Sequence, residues 1–239
     1  MSSPQKQDES IRAMFDSIAR RYDLVNSLMT LRLDKSWRRL VVLRSEAKPG
    51  GRSLDFCCGT GMLTMELALA TGPSGLVVGL DFSQQMLAVG RKNLGIFPLK
   101  DTVRLVQGDV MGLPFQRDTF DCATVGWGLR NLPDIAAALQ EVARVVKPGG
   151  KVVSLDVGQP GIPIFRQFYW FCFRRIVPTM GGLWTGKQWA YEYLYDSART
   201  FLHPEELSGT FRQAGLVETR HRNLAGGIMT IVEGRKPTS

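Results

Sequence analysis

The stretch Leu54-Asp55-Phe56-Cys57-Cys58-Gly59-Thr60-Gly61 limits what this chain can become more than any other. It reads as the end of a buried strand, a tight glycine turn and the start of a helix. Gly59 and Gly61 remove Cβ atoms where a backbone must pass close to a ligand. The helix that follows aims its free N–H groups at that ligand. A second apolar run, Leu76-Val77-Val78-Gly79-Leu80, ends in Asp81, and an acid at such a place can accept both hydroxyls of a ribose. Together these features describe a nucleoside pocket at the carboxyl ends of parallel strands. A dinucleotide fingerprint would need a third glycine where Thr64 stands, which disfavours a nicotinamide oxidoreductase.

The rest of the chain supplies a sheet for that pocket. Strands are expected at 52–57, 75–81, 103–108, 120–127 and 150–156, with helices at 61–70, 84–94 and 134–146. Pro133 sits at the start of the last helix, and Lys147-Pro148-Gly149-Gly150 stops it and turns into the next strand. This α/β order implies a parallel sheet with helices on both faces. Ahead of it, Ile11, Met14, Phe15 and Ile18 recur at helical spacing over 9–20, and a second helix near 33–43 places Trp37, Leu40 and Val41 on one face. On spacing alone, Tyr22 and Asp23 form a helix terminus. Residues 1–50 therefore read as a helical cap, 51–158 as the cofactor-binding core, 159–203 as a helical insertion, and 204–239 as a closing helix and a hairpin around Gly226-Gly227.

Two more strand ends carry polar groups. Asp109 closes the third run, where it could accept from an exocyclic amine such as that of adenine or simply cap a turn. The fourth run ends in Gly126-Trp127-Gly128-Leu129-Arg130-Asn131, where two glycines permit close approach to a ligand and project Arg130 and Asn131 into the cleft. Residues 162–178 pack aromatics beside Arg166, Arg174 and Arg175, too charged to cross a membrane, so the block is either interfacial or a buried cap helix. The net charge of +8 suits an anionic surface, membrane or nucleic acid. The polar start lacks the apolar region of a secretory leader, and no run of about 18 uncharged apolar residues is present, which points to a cytoplasmic protein. Cys57, Cys58, Cys122 and Cys172 form no C-x-x-C and there are only two histidines, so no zinc site is expected.

The D-x-x-x-G-x-G spacing of Asp55, Gly59 and Gly61 resembles motif I of class I S-adenosylmethionine-dependent methyltransferases. Over nearly its whole length the chain resembles the UbiE/MenG family of ubiquinone and menaquinone biosynthesis C-methyltransferases. The likeness rests on Phe15-Asp16-Ser17-Ile18-Ala19 with Tyr22-Asp23, on Cys58-Gly59-Thr60-Gly61, on Val78-Gly79-Leu80-Asp81-Phe82-Ser83, and on Gly128-Leu129-Arg130-Asn131-Leu132-Pro133-Asp134. Asp55-Phe56-Cys57-Cys58-Gly59-Thr60 is similar to the Gram-positive menaquinone branch. Met62, Gly126 and Met229-Thr230-Ile231 depart from the family's pattern.

The resemblance implies a Rossmann-like, mostly parallel seven-stranded sheet, S-adenosylmethionine as cofactor and no metal. Its cofactor contacts would be Asp55, Gly59, Thr60, Gly61, Asp81, Phe82, Met86, Asp109, Val110 and Gly126. Arg130 and Asn131 would be catalytic, with Tyr22, Trp127 and Tyr195 at the substrate. The acceptor it implies is a prenylated quinol, demethylmenaquinol first and a ubiquinone-type benzoquinol as the alternative. Neither histidine is well placed to take a proton, so Arg130 would stabilise a forming phenolate, with Asp109 or Tyr22 as proton relay. An RNA acceptor is disfavoured, since neither N-P-P-Y nor a Pro-Cys nucleophile motif occurs. The partners expected are the quinol, a transient contact with the inner face of the cell membrane and no nucleic acid, with a homodimer also compatible.

Overall fold

In the computed structural model, which describes residues 4–185 and 188–238 and so leaves the first three residues of the polar start outside, the expected alternation forms one twisted sheet. Along the chain come α1 (Pro4–Met29), α2 (Asp34–Ser45), β1 (Arg52–Phe56), α3 (Met62–Thr71), β2 (Leu76–Asp81), α4 (Gln84–Gly95), β3 (Val103–Gln107), β4 (Phe120–Gly126), α5 (Ile135–Val145) and β5 (Val146–Val157). There follow α6 (Pro163–Thr185), α7 (Gln188–Thr200), α8 (Pro204–Gln213), β6 (Val217–Leu224) and β7 (Met229–Arg235). The strand order is β3-β2-β1-β4-β5-β7-β6, parallel except for β7, which runs antiparallel to both β5 and β6. The order reverses between β1 and β4, and such a reversal opens a crevice at the carboxyl ends of the strands.

Local chemistry explains the elements. Buried on both faces, β2 and β4 read as nearly continuous apolar runs, as parallel strands under two helical layers must. The Ser83 hydroxyl accepts from Met86 N (3.1 Å) to start α4, and the Asp134 carboxylate accepts from Ala137 N (3.0 Å) to start α5. Helix α5 then buries Ala138, Leu139, Val142 and Val145 against the sheet.

Two expectations are corrected. Helix α1 does not end near residue 20; it continues through Tyr22 and Asp23 to Met29. Val25 and the half-buried Tyr22 and Met29 extend the stripe begun by Met14 and Ile18, and this stripe packs against Met86 and Ala190. Burial of the longer stripe outweighs the weak local signal of the charged residues around Arg20. The Lys147–Gly150 turn is instead a bulge inside β5. Pairing runs from Phe120↔Val146 to Cys122↔Lys151, and the skipped residues bond to the chain's end through Gly149 N to Lys236 O and Lys236 N to Gly150 O (both 2.9 Å).

At the centre of the sheet lies Asp55, with no exposed surface. It accepts from Thr64 Oγ1 of α3 (2.6 Å) and Thr124 Oγ1 of β4 (3.2 Å), tying three elements at the point where the strand order reverses. Burial, opposed by those two hydroxyls, raises its carboxyl from the ordinary 3.8 to about 7. A folded-state value above the unfolded one makes the contribution fully present below the unfolded value and lost as pH rises through the folded one. Asp55→Asn should therefore gain on the wild type by a few kcal/mol between about pH 4 and pH 8. Urea denaturation at both pH values measures it; parallel pH profiles for the two proteins would contradict it.

Candidate active site

The site is assembled from the carboxyl ends of β1, β2, β3, β4 and β5. After β1 the chain turns through Cys57, Gly59 and Gly61, all at positive φ (54°, 55° and 78°), and Gly61 leads into α3. A Cβ on Gly59 would meet nothing within 4 Å, so this glycine serves the left-handed turn and leaves its face open to the cavity. At Gly128 the reason is room: a Cβ there would lie 2.6 Å from Cys57 Cβ and 2.8 Å from Val125 Cγ2. The turn after β1 can thus press against the end of β4.

Asp81 is buried and held in place. Its Oδ2 accepts from Gly59 N (2.8 Å) and its Oδ1 from Ser83 N (2.9 Å). Each carboxylate oxygen retains a lone pair for a ribose hydroxyl. Burial raises this carboxyl to about 6, against the lowering effect of the Ser83 and Gly59 N–H groups. Asp109 is exposed and accepts from Met111 N (2.9 Å), so it caps a short turn while lining the same cavity. That cavity, of about 140 Å³, is also lined by Gly59, Thr60, Phe82, Met86, Val110 and Gly126. Asp55 reaches its wall, but both of its oxygens are held by threonines, which makes it a positioning residue. Gly61 is not on the wall; its part is to start α3.

Helix α1 covers this cavity and is fastened by two acids. Thr60 Oγ1 donates to Asp23 Oδ1 (2.6 Å), and Asn93 Nδ2 bridges Asp23 Oδ2 (3.4 Å) and Thr60 O (3.2 Å). Ser83 Oγ donates to Asp16 Oδ1 (2.5 Å). The Thr60 hydroxyl, expected at the cofactor, therefore points to α1.

A second cavity of about 210 Å³ lies on the other side of Tyr22, Trp127 and Asn131, which line both. Its walls are mostly apolar, including Met14, Ile18, Val25, Phe173 and Ile228. Among the described residues its one buried charge pair is Arg130 Nη1 to Asp156 Oδ1 (2.7 Å), with the Arg130 side chain 3% exposed. Nη1 also donates to Trp127 O (2.8 Å), while Nε is buried without a partner. Burial alone would lower the Arg130 pKa, but its polar surroundings, Asp156 first among them, together outweigh burial and the guanidinium stays charged. Burial raises the Tyr22 phenol despite the nearby Arg130, so Tyr22 is a neutral donor near pH 7. Asn131 Oδ1 accepts from Tyr193 OH (3.2 Å). Burial likewise raises the Cys57 and Cys58 thiols, and neither is a ready nucleophile.

Further assignments change on the substrate side, and others are added. Tyr195 lines neither cavity; it packs on Trp170 and Phe173, and its hydroxyl accepts from Arg199 Nη1 (3.2 Å). Two residues along a helix is a rotation of about 200°, so Tyr193 faces the second cavity and Tyr195 does not. Asp109 belongs to the cofactor cavity and is not placed to relay protons in the second one. Asp156 was missed, although it ends the run Val152-Val153-Ser154-Leu155 as Asp55 and Asp81 end theirs. Arg38, 5.2 Å over the Trp127 ring and bonded to Asp34 (2.6 Å), carried no sequence signal.

A seven-stranded sheet of this order, with an open glycine turn and a buried acid at the end of β2, defines an S-adenosylmethionine-dependent methyltransferase of class I. Solved structures agree in fold. A methyltransferase of Thermotoga maritima superposes with a TM-score of 0.67 at 19% identity, covering 95% of this chain and 99% of the other. One from Aquifex aeolicus gives 0.61 at 17% identity over 83% and 88%. The model of the ubiE/COQ5 methyltransferase family matches residues 3–236, and the chain belongs to that family. It is 52% identical to a demethylmenaquinone methyltransferase of Desulfitobacterium hafniense, over 95% of this chain and 90% of that one. With the corresponding protein of Shouchella clausii the identity is 40%, over 98% and 99%.

The residues fit the cofactor: an open backbone turn, an oriented carboxylate and the apolar side chains of Met86 and Val110 around one cavity. Asp81→Ala should weaken S-adenosylmethionine binding by roughly 1.5–3 kcal/mol for each hydroxyl hydrogen bond lost. Because only the ionised carboxylate can accept both hydroxyls, wild-type affinity should also decline as pH falls through about 6. Calorimetry on the folded variant and across pH checks both; unchanged affinity in each would remove Asp81 from the pocket.

Proposed function

We propose that this enzyme methylates a ring carbon of a reduced prenylated naphthoquinone, demethylmenaquinol, giving a menaquinol. The observation that carries the reading is the apolar second cavity, which meets the cofactor cavity at Tyr22, Trp127 and Asn131 and carries the buried cation Arg130 on its wall. The names of the relatives at 52% and 40% identity support the same acceptor.

When bound, S-adenosylmethionine supplies a methyl group made electrophilic by its sulfonium. The chain's own residues do the rest. Trp127 and Tyr22, at the boundary of the two cavities, set the approach of a flat aromatic ring to that methyl, and such positioning can supply most of the acceleration. A quinol carbon becomes nucleophilic as its hydroxyl gives a proton to water at the open mouth of the cavity, and the methylated carbon then releases its own hydrogen as a proton to that water, which restores the aromatic ring. The Arg130 guanidinium, kept charged by Asp156, stabilises the negative oxygen, with the unpartnered Nε as its free donor. The Asn131–Tyr193 pair orients the second ring oxygen. The apolar walls exclude water and receive the start of the prenyl tail. Since that tail resides in a bilayer, the enzyme meets its acceptor at the inner face of the cell membrane as a peripheral protein.

Incubation with labelled S-adenosylmethionine should transfer label to demethylmenaquinol and not to RNA; label on RNA alone would overturn the reading. Arg130→Lys keeps the charge beside Asp156 and removes the Nε donor. It should lower turnover by about 10- to 100-fold, the equivalent of one charged hydrogen bond, with cofactor affinity nearly intact. Loss of cofactor binding alone would show that the role given to Arg130 is wrong.

A further inference from the structure

The mouth of the second cavity carries apolar side chains that the fold does not cover. Leu31 lines this cavity yet is 83% exposed. It sits at the end of α1, where Arg32 N donates to Ser27 O (2.7 Å) and Leu31 N to Leu28 O (3.1 Å). That pair of bonds closes a helix in the form that places its terminal residue in the left-handed region, normally a glycine. Here Leu31 and Arg32 hold φ of 50° and 64°. A strained leucine offered to solvent is hard to explain by folding alone.

Upstream on the same helix, Leu24 and Leu28 are also exposed, four and three residues apart from their neighbours in the series 24, 28, 31. Leu24 and Leu28 share one helical stripe, and Leu31 follows them just past the helix end, in the left-handed turn. The exposed Arg20 and Arg21 lie one turn before that stripe. Helix α6 repeats the pattern. Tyr169 and Phe173 line the cavity, while Ile164 (82% exposed), Phe168 (65%) and Phe171 face outward at spacings of four and three. Arg175 continues that stripe with its guanidinium 5.9 Å over the Phe171 ring, and Arg174 is exposed beside it.

The geometry points to a lipid-docking surface built from the α1 end, its strained turn and the outer stripe of α6. Its partner is an anionic bilayer. Aromatic and aliphatic side chains enter the headgroup boundary, and the arginines at the ends of both stripes meet lipid phosphate, in a chain of net charge +8. The surface rims the second cavity, so a prenyl tail would pass from bilayer to cavity without crossing water. This last step rests on the prenylated acceptor proposed above; the docking itself does not.

Co-sedimentation of the substrate-free protein with vesicles tests it. The protein should bind equimolar phosphatidylcholine and phosphatidylglycerol at low salt, be released by high salt, and bind phosphatidylcholine alone weakly. Ile164→Ser with Phe168→Ser, and separately Arg174→Glu, should each weaken binding about tenfold. None of these residues lines either cavity, so unchanged S-adenosylmethionine affinity verifies that each variant is folded. Leu31→Gly should bind vesicles more weakly while melting no lower than the wild type. A wild type that stays in solution at low salt overturns the proposal. So does a concentration-dependent dimer that the Ile164/Phe168 variant dissolves and vesicles do not displace, since a second copy would then cover the surface. Quinol methylation in detergent without vesicle binding would sink this surface alone; vesicle binding without quinol methylation would sink the acceptor alone.

Discussion

A buried carboxylate holds the centre of this protein together. Asp55 accepts from Thr64 and Thr124, so β1, α3 and β4 share one acid at the place where the sheet reverses its order. Close packing of the turn after β1 against the end of β4 depends on the same place, through the missing Cβ of Gly128. With these contacts made, the glycine turn opens toward the cofactor cavity and Trp127 is placed, at a positive φ of 59°, between the two cavities. A buried acid costs stability when ionised. Here that cost is accepted where the site must be rigid.

The acids at the strand ends divide the work by what each one touches. Asp55 is closed off by threonines. Asp81 is oriented by two backbone N–H groups and still faces the cavity. Asp109 is exposed and caps a turn on the rim. Asp156 pairs with Arg130 and so places a permanent cation against an otherwise apolar chamber. An unpaired guanidinium at that depth would be costly. The pair supplies a fixed donor, and its free Nε suits an oxygen brought in with a substrate. The two cavities therefore differ in character. One is ringed by acids and suits a cationic cofactor; the other, among the described residues, is apolar but for the charge of Arg130 and a few neutral polar groups.

Helix α1 belongs to both chambers. Asp16 and Asp23 fasten it to Ser83 and Thr60 on the cofactor side, and Met14, Ile18 and Val25 face the second chamber. This is why the helix runs on to Met29, and why its end reaches the mouth of the second chamber with Leu31 in the open. The family's sequence signature around Phe15-Asp16 and Tyr22-Asp23 acquires a physical meaning here. It is a wall that both cavities share.

Much of this was legible in the linear chain. Apolar runs ending in Asp55 and Asp81, the glycines of the turn and the alternation of periods are local properties, and they were enough for the parallel sheet and a nucleoside pocket at its edge; the cofactor's identity came from the family resemblance. Asp156 obeyed the same rule and could have been read from it. What the tertiary structure decided is what local pattern does not encode. Spacing cannot say which face of α7 turns inward, and so does not tell Tyr193, which lines the cavity, from Tyr195, which does not. It cannot say that a helix passes Arg20 when the stripe supporting it is buried by Met86 and Ala190, which are far away in sequence. It cannot say whether a carboxylate is turned to a ligand, as in Asp81, or closed off by hydroxyls, as in Asp55. Those outcomes depend on contacts between residues distant along the chain, and only the packed structure brings them together.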